Sequence, residues 1–199
     1  MQHDSQPPVE FQGGAGPDWS AVRALAAGQE GHFTVAQAVA RGFSEQLLSK
    51  HAAAGNLARP LRGIYRLAHF PPGENEDLVV AWLWSGEEAV VSHESALQLH
   101  GLSDAMPSRI HLCLPTAQRA RRRVVPPLYV LHFADLGPQD RAWIGAVPVT
   151  TPRRTVLDVA TGQGDAGLVK QAVDEGLRRG LFRVWDVVPA IEYAQRFAR

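Results

Sequence analysis

The sequence predicts an α+β protein, with an N-terminal winged helix-turn-helix followed by a small mixed α+β domain. Three observations carry this. Two short helical patterns, each opened by a capping residue, meet at a tight turn at Gly42. A strand–turn–strand pattern follows directly, between Leu57 and Leu67. After Pro71-Pro72-Gly73, helical and β-like segments are mixed to the end of the chain. A helix-turn-helix followed at once by a hairpin is the order of a winged helix.

Residues 1–18 are rich in Gln, Pro and Gly, carry no periodic pattern and are expected to be a disordered tail. Trp19, Val22, Leu25 and Ala26 then recur at helical spacing, with Asp18 as N-cap and Gly28 as stop. Thr34 followed three residues later by Gln37 is a capping box that opens a second helix, ending at Arg41-Gly42. Phe43 is an apolar plug, and Ser44 caps a third helix that runs through Ala54 to a stop at Gly55. Leu57-Ala58-Arg59 and Ile64-Tyr65-Arg66-Leu67 read as short strands, with Pro60-Leu61-Arg62-Gly63 as the turn. The expected organisation is a tail over 1–18, a winged helix over 19–70 and a second domain over 74–199.

The second domain opens with a mostly apolar helix from Glu74 to Trp84, in which Trp82 and Trp84 read as core. Val90 to Leu97 changes from strand to helix, with Ser92 as N-cap and Ser95 as alternative, and the helix ends at His100-Gly101. Three β-like segments follow, Arg109 to Leu114, Leu128 to Phe133 and Gly145 to Val149. Three helices end the chain, at about Thr151 to Ala160, Ala166 to Arg179 and Val184 to Phe197.

The formal net charge of the 199 residues is +0, which excludes a globally basic nucleic-acid binder but not a locally basic one. Charge is in fact segregated. Trp19 to Phe70 holds six bases against two acids, Pro71 to Gln118 one base against seven acids, and Arg119 to Arg154 seven bases against two acids. The single cysteine, Cys113, excludes an internal disulfide and a cysteine-based zinc cluster. It lies in an apolar strand and reads as a small buried residue. No stretch is long enough to span a membrane, and the first eighteen residues lack the pattern of a secretory signal. A cytoplasmic setting is expected.

At 100° per residue, Leu47, Leu48 and His51 of the third helix fall on one side and Gln46, Ser49, Lys50 and Ala53 on the other. The second group is the expected major-groove face, where Gln reads adenine and Lys reads guanine or holds phosphate. Ser44, at the helix N-terminus, is a candidate phosphate contact, and Arg59 and Arg62 at the wing turn are candidates for phosphate or minor groove. A solvated helix face and a plain hairpin, or a protein-binding winged helix, is the competing reading. The run Arg119, Arg121, Arg122 and Arg123 falls on a loop. It reads as solvated, or as a contact for DNA phosphates or an acidic partner.

Catalytic readings are thin. His93, Glu94 and His100 lack the zinc-peptidase spacing, because the two histidines are seven apart. Asp158, Asp174 and Glu175 form a candidate nuclease-like acidic cluster, although Asp158 has Arg153 and Arg154 nearby as pairing partners. There is no Gly-rich phosphate loop and no nucleophile with a local signature. No enzyme, metal or cofactor is expected.

The order of segments resembles the AbiEi family of antitoxins from type IV toxin–antitoxin systems. The matching pieces are "RGIYRL" (Arg62 to Leu67), "VVSHESALQLHGL" (Val90 to Leu102), "RIHLCLP" (Arg109 to Pro115), "VPVTTPRRTVLDVA" (Val147 to Ala160) and "AVDEGLRRGL" (Ala172 to Leu181). The resemblance implies a repressor that binds its own operator through the N-terminal domain. It also implies a C-terminal domain that counters a nucleotidyltransferase-type toxin. Where many relatives carry arginines on the outer face of the recognition helix, this chain has Ser49, Lys50, Ala53 and Ala54. A stand-alone regulator whose second domain senses a ligand or protein is the alternative.

Overall fold

The computed structural model describes residues 16–197. The expected tail lies outside these residues, except for its last three positions. Asp18, the last of them, caps α1 (Trp19–Ala27) by accepting the Ala21 N–H at 2.9 Å. Helix α1 ends at Gly28, and β1 (His32–Thr34) follows. Thr34 both ends this strand and opens α2 (Val35–Val39) through the expected reciprocal capping box with Gln37. Gly42 turns the chain at φ +83°, where a side chain would be strained. Ser44 accepts the Leu47 N–H at 3.2 Å and caps α3 (Glu45–Ala53).

The wing is β2 (Leu57–Leu61) and β3 (Ile64–Leu67). Strand β2 runs two residues beyond the expected limit, because a register shift between Ala58 and Leu61 carries Pro60 within the strand. The turn is therefore Arg62-Gly63 alone, with Gly63 at φ +83°. Strand β1 pairs antiparallel with β3 and makes a three-stranded sheet of order β1-β3-β2. Val22, Ala26, Phe33, Ala38, Phe43, Leu48, Leu57 and Tyr65 form the core of this unit.

Strand β3 presents its two faces to two cores. Tyr65 packs into the core just named, while its neighbour Ile64 packs with α4 (Glu76–Trp84) and the second sheet. Alternation of side chains along a strand makes this possible. The Pro71-Pro72-Gly73 segment between them is clamped. Arg66 pairs with Glu76 at 2.6 Å and donates to the carbonyls of Phe70 and Pro71, while the Gly73 N–H reaches Glu76. The Asn75 N–H reaches back to Glu30, and a Cβ at Gly73 would run into that carboxylate.

The second unit is a five-stranded mixed sheet of order β6-β5-β4-β8-β7. Its strands are β4 (Val90–Val91), β5 (Ile110–Leu114), β6 (Tyr129–Phe133), β7 (Arg141–Ile144) and β8 (Val147–Thr150). Helix α5 (His93–His100) follows β4, and α6 (Pro152–Thr161), α7 (Ala166–Arg178) and α8 (Val188–Phe197) end the chain. Helix α4 shares one core with the sheet; α6, α7 and α8 form a second core with Leu97 and Leu102. Trp82 and Trp84 are partly buried against the sheet core, as read from the sequence. The chain is α+β.

Candidate nucleic-acid interface

The third helix divides as its periodicity predicts. Leu48 is buried and Leu47 and His51 are half-buried, whereas Gln46, Ser49, Lys50 and Ala53 are exposed. Trp19 holds the inner side, edge-on to Phe43 at 4.6 Å and to His51 at 4.8 Å. The Ser44 hydroxyl is occupied by its own helix, and Glu45 stands in the first turn. On the wing, Arg59 and Arg62 are exposed, and the Arg59 guanidinium lies 5.7 Å from the ring centre of Tyr65.

The six bases of this unit separate into two kinds. Arg66 is committed to Glu76, and Arg41 donates to the Gln37 carbonyl at 2.7 Å. Arg23, Lys50, Arg59 and Arg62 have no ion-pair partner among the described residues. Of these, Lys50 on the exposed helix face and Arg59 and Arg62 on the wing are free cations of the kind that suit an anionic, grooved partner.

The Arg119–Arg123 loop and α2 are both tied to the turn that follows α4. Gln37 donates to Glu87 at 2.8 Å, and Gln118 donates to the adjoining Glu88. Gln118 also accepts from Arg123 at 2.5 Å and from Arg121 at 3.4 Å. Arg123 lies over Trp84 and Arg119 over Phe133. Arg121 and Arg122 are exposed.

The candidate catalytic residues are not brought together. His100 meets the Thr150 carbonyl at 2.7 Å, while His93 stacks on His132 at 3.5 Å between ring centres. Burial holds His93 down to about 3 and His132 down to about 4, and the neighbouring imidazoles add to this. These rings are therefore neutral near pH 7. Asp158 is paired with Arg154 at 2.7 Å, Asp174 with Lys170 at 2.7 Å and Glu175 with Arg178 at 2.6 Å. Burial raises the Asp158 carboxyl above its usual range. Among the described residues no cluster of His, Cys, Asp and Glu has the arrangement of a metal site. Cys113 is buried, and that burial raises its thiol pKa, which makes it an unreactive thiol.

Two elements escaped the sequence reading. Strand β1 is three residues long, too short for a period, and its last residue also carries the capping-box signal of α2. Strand β7 forms an antiparallel hairpin with β8 around Gly145, at φ +56°. The glycine marks a turn where a strand start was expected. Ser92 occupies the N-cap position of α5, but its hydroxyl does not cap; it meets His93 Nδ1 at 3.0 Å. Ser95 instead accepts the His111 N–H at 2.9 Å and ties α5 to β5.

Residues 20–68 match the family described as "Transcriptional regulator, AbiEi antitoxin", and residues 89–178 match "AbiEi antitoxin C-terminal domain". The chain belongs to the AbiEi antitoxin family. The two matched segments take in the winged helix and the sheet with α5, α6 and most of α7. They support a DNA-binding antitoxin. The fold is similar to that in the crystal structure of RV2827C protein from Mycobacterium tuberculosis, with a TM-score of 0.56. That likeness spans 87% of this chain and 73% of the other at 17% identity, and it speaks to fold alone. No curated protein matches the chain. Among the described residues of this AbiEi protein, no helix is long and apolar enough to cross a membrane.

Proposed function

We propose that this AbiEi protein is a cytoplasmic, non-enzymatic autorepressor. It binds its own operator through α3 and the wing and counteracts a nucleotidyltransferase-type toxin. The observation that carries the DNA reading is the exposed face of Gln46, Ser49, Lys50 and Ala53, followed by the exposed wing residues Arg59 and Arg62, which have no ion-pair partner among the described residues. Gln46 and Lys50 are the groups able to read base edges on that helix. With a single cation on the helix face, the wing arginines supply more of the phosphate attraction than the helix does. Ser44 contributes as a cap that fixes where the helix starts. The Arg119–Arg123 loop adds a second phosphate contact, with Arg121 and Arg122 facing the duplex.

A mobility-shift titration with the chain's own upstream DNA tests this. Lys50→Ala, Arg59→Ala and Arg62→Ala together are expected to lower affinity by about a hundredfold. They also lower the slope of log K against log salt by about 2 to 3. Unchanged binding in the triple variant overturns the interface. Co-expression with the neighbouring reading frame tests the antitoxin role, and failure to restore growth counts against it.

A further inference from the structure

The winged helix encloses a cavity that DNA binding leaves unexplained. It measures about 590 Å³, within the range of small-molecule sites, and opens to solvent behind α3. Trp19 and Arg23 of α1 form one wall, His51 and Asn56 a second, and the Leu67–Pro71 link, with Phe70, a third. The lining is mostly apolar and aromatic, and no carboxylate lines it among the described residues. The one full charge in it is Arg23, whose guanidinium stands 6.0 Å from the Trp19 ring centre and has no ion-pair partner among the described residues. Asn56 and His51 adjoin each other at 3.5 Å and add hydrogen-bonding groups.

We infer that this cavity binds a small planar aromatic carboxylate. Its ring stacks between Trp19 and Phe70, and its carboxylate pairs with Arg23. The apolar walls favour a flat ring, the lone cation selects an anion, and Asn56 takes a second oxygen. His51 belongs to α3, so the bound ring touches the inner side of the helix whose outer side is the proposed reading face.

Calorimetric titration of the full chain with 1-naphthoate, and with the neutral 1-naphthamide, tests the site without DNA. It therefore stands or falls apart from the DNA reading. Saturable naphthoate binding is expected, with the amide about tenfold weaker. Arg23→Gln, a change on an exposed side chain, is expected to abolish that difference. In a ¹H–¹⁵N spectrum the indole N–H of Trp19, identified through Trp19→Phe, moves while the other four tryptophans stay. Absent saturation, equal affinity for the amide, or an unchanged preference in Arg23→Gln overturns the inference. So does binding that appears only after residues 1–15 are deleted, which assigns the cavity to the chain's own N-terminal segment.

Discussion

The arginines of the winged helix and those of the sheet unit have opposite surroundings. Arg59 and Arg62 are exposed and have no ion-pair partner among the described residues. Arg154 is largely covered and lies between two carboxylates that are themselves nearly buried, at 2.7 Å from Asp158 and 3.2 Å from Asp140. Around it the Thr150 and Thr155 hydroxyls meet at 2.7 Å, and Thr155 also donates to the Thr151 carbonyl. His100 closes on the Thr150 carbonyl. All of these residues but Asp140 belong to two of the blocks that carry the family resemblance, "VVSHESALQLHGL" and "VPVTTPRRTVLDVA". The marker residues therefore act as a lock that joins β8, α5 and α6. The surface proposed for DNA is built from ordinary residues whose cations have no ion-pair partner among the described residues. The residues that make the chain recognisable and the surface proposed for DNA lie in different places.

Stability measurements can break or sharpen this contrast. The largest effect is expected from Arg154→Met, which leaves Asp158 covered and unpaired and Asp140 with only its 3.9 Å contact to Arg153. About 3 kcal/mol is lost, read by urea denaturation. A loss below about 1 kcal/mol removes the lock as an explanation of the motif.

Acid comes next. His93 and His132 have pKa values of about 3 and about 4 in the folded chain, against 6.5 when unfolded. The unfolded state thus binds more protons between those values. Stability is full above pH 6.5 and falls as pH drops toward 4. Screening of the partly exposed rings leaves a loss of about 2 kcal/mol at pH 5. The double variant His93→Gln, His132→Gln is expected to reduce that dependence, leaving the part owed to His32, His100 and His111, which burial also lowers.

A smaller loss, about 1 kcal/mol, is expected for Thr155→Val, which keeps the volume but removes the shared hydroxyl. The smallest effect belongs to the other side of the comparison. Lys50→Ala, Arg59→Ala and Arg62→Ala together are expected to shift stability by less than about 0.5 kcal/mol while DNA affinity collapses. A large stability loss there would make those cations structural.

Much of this was legible in the chain. Asp18, Thr34 and Ser44 satisfy free amides at three helix starts, and a cap is a local signal that survives folding. The two sides of α3 follow from helical period alone. The sheet order was not legible, because β4 pairs with β8 through Val91 and Val149, far apart in sequence. Nor was the Arg66–Glu76 pair, which commits one of the winged helix's six bases to the joint. Strand β7 hid because its Trp143 is 61% exposed and rests edge-on against Trp82, so hydrophobicity did not report burial. The free status of Lys50, Arg59 and Arg62 depends on which acids fold nearby, and no local pattern carries that information.

Ile64 and Tyr65 are consecutive residues held by different cores. The reading head and the sheet therefore meet with no slack between them. A linker would let the head swivel to meet an uneven groove, at an entropic cost on each binding event. Here that freedom has already been lost on folding. On the proposed DNA reading, the molecule approaches a duplex as a fixed template, and any mismatch in pitch is taken up by the DNA.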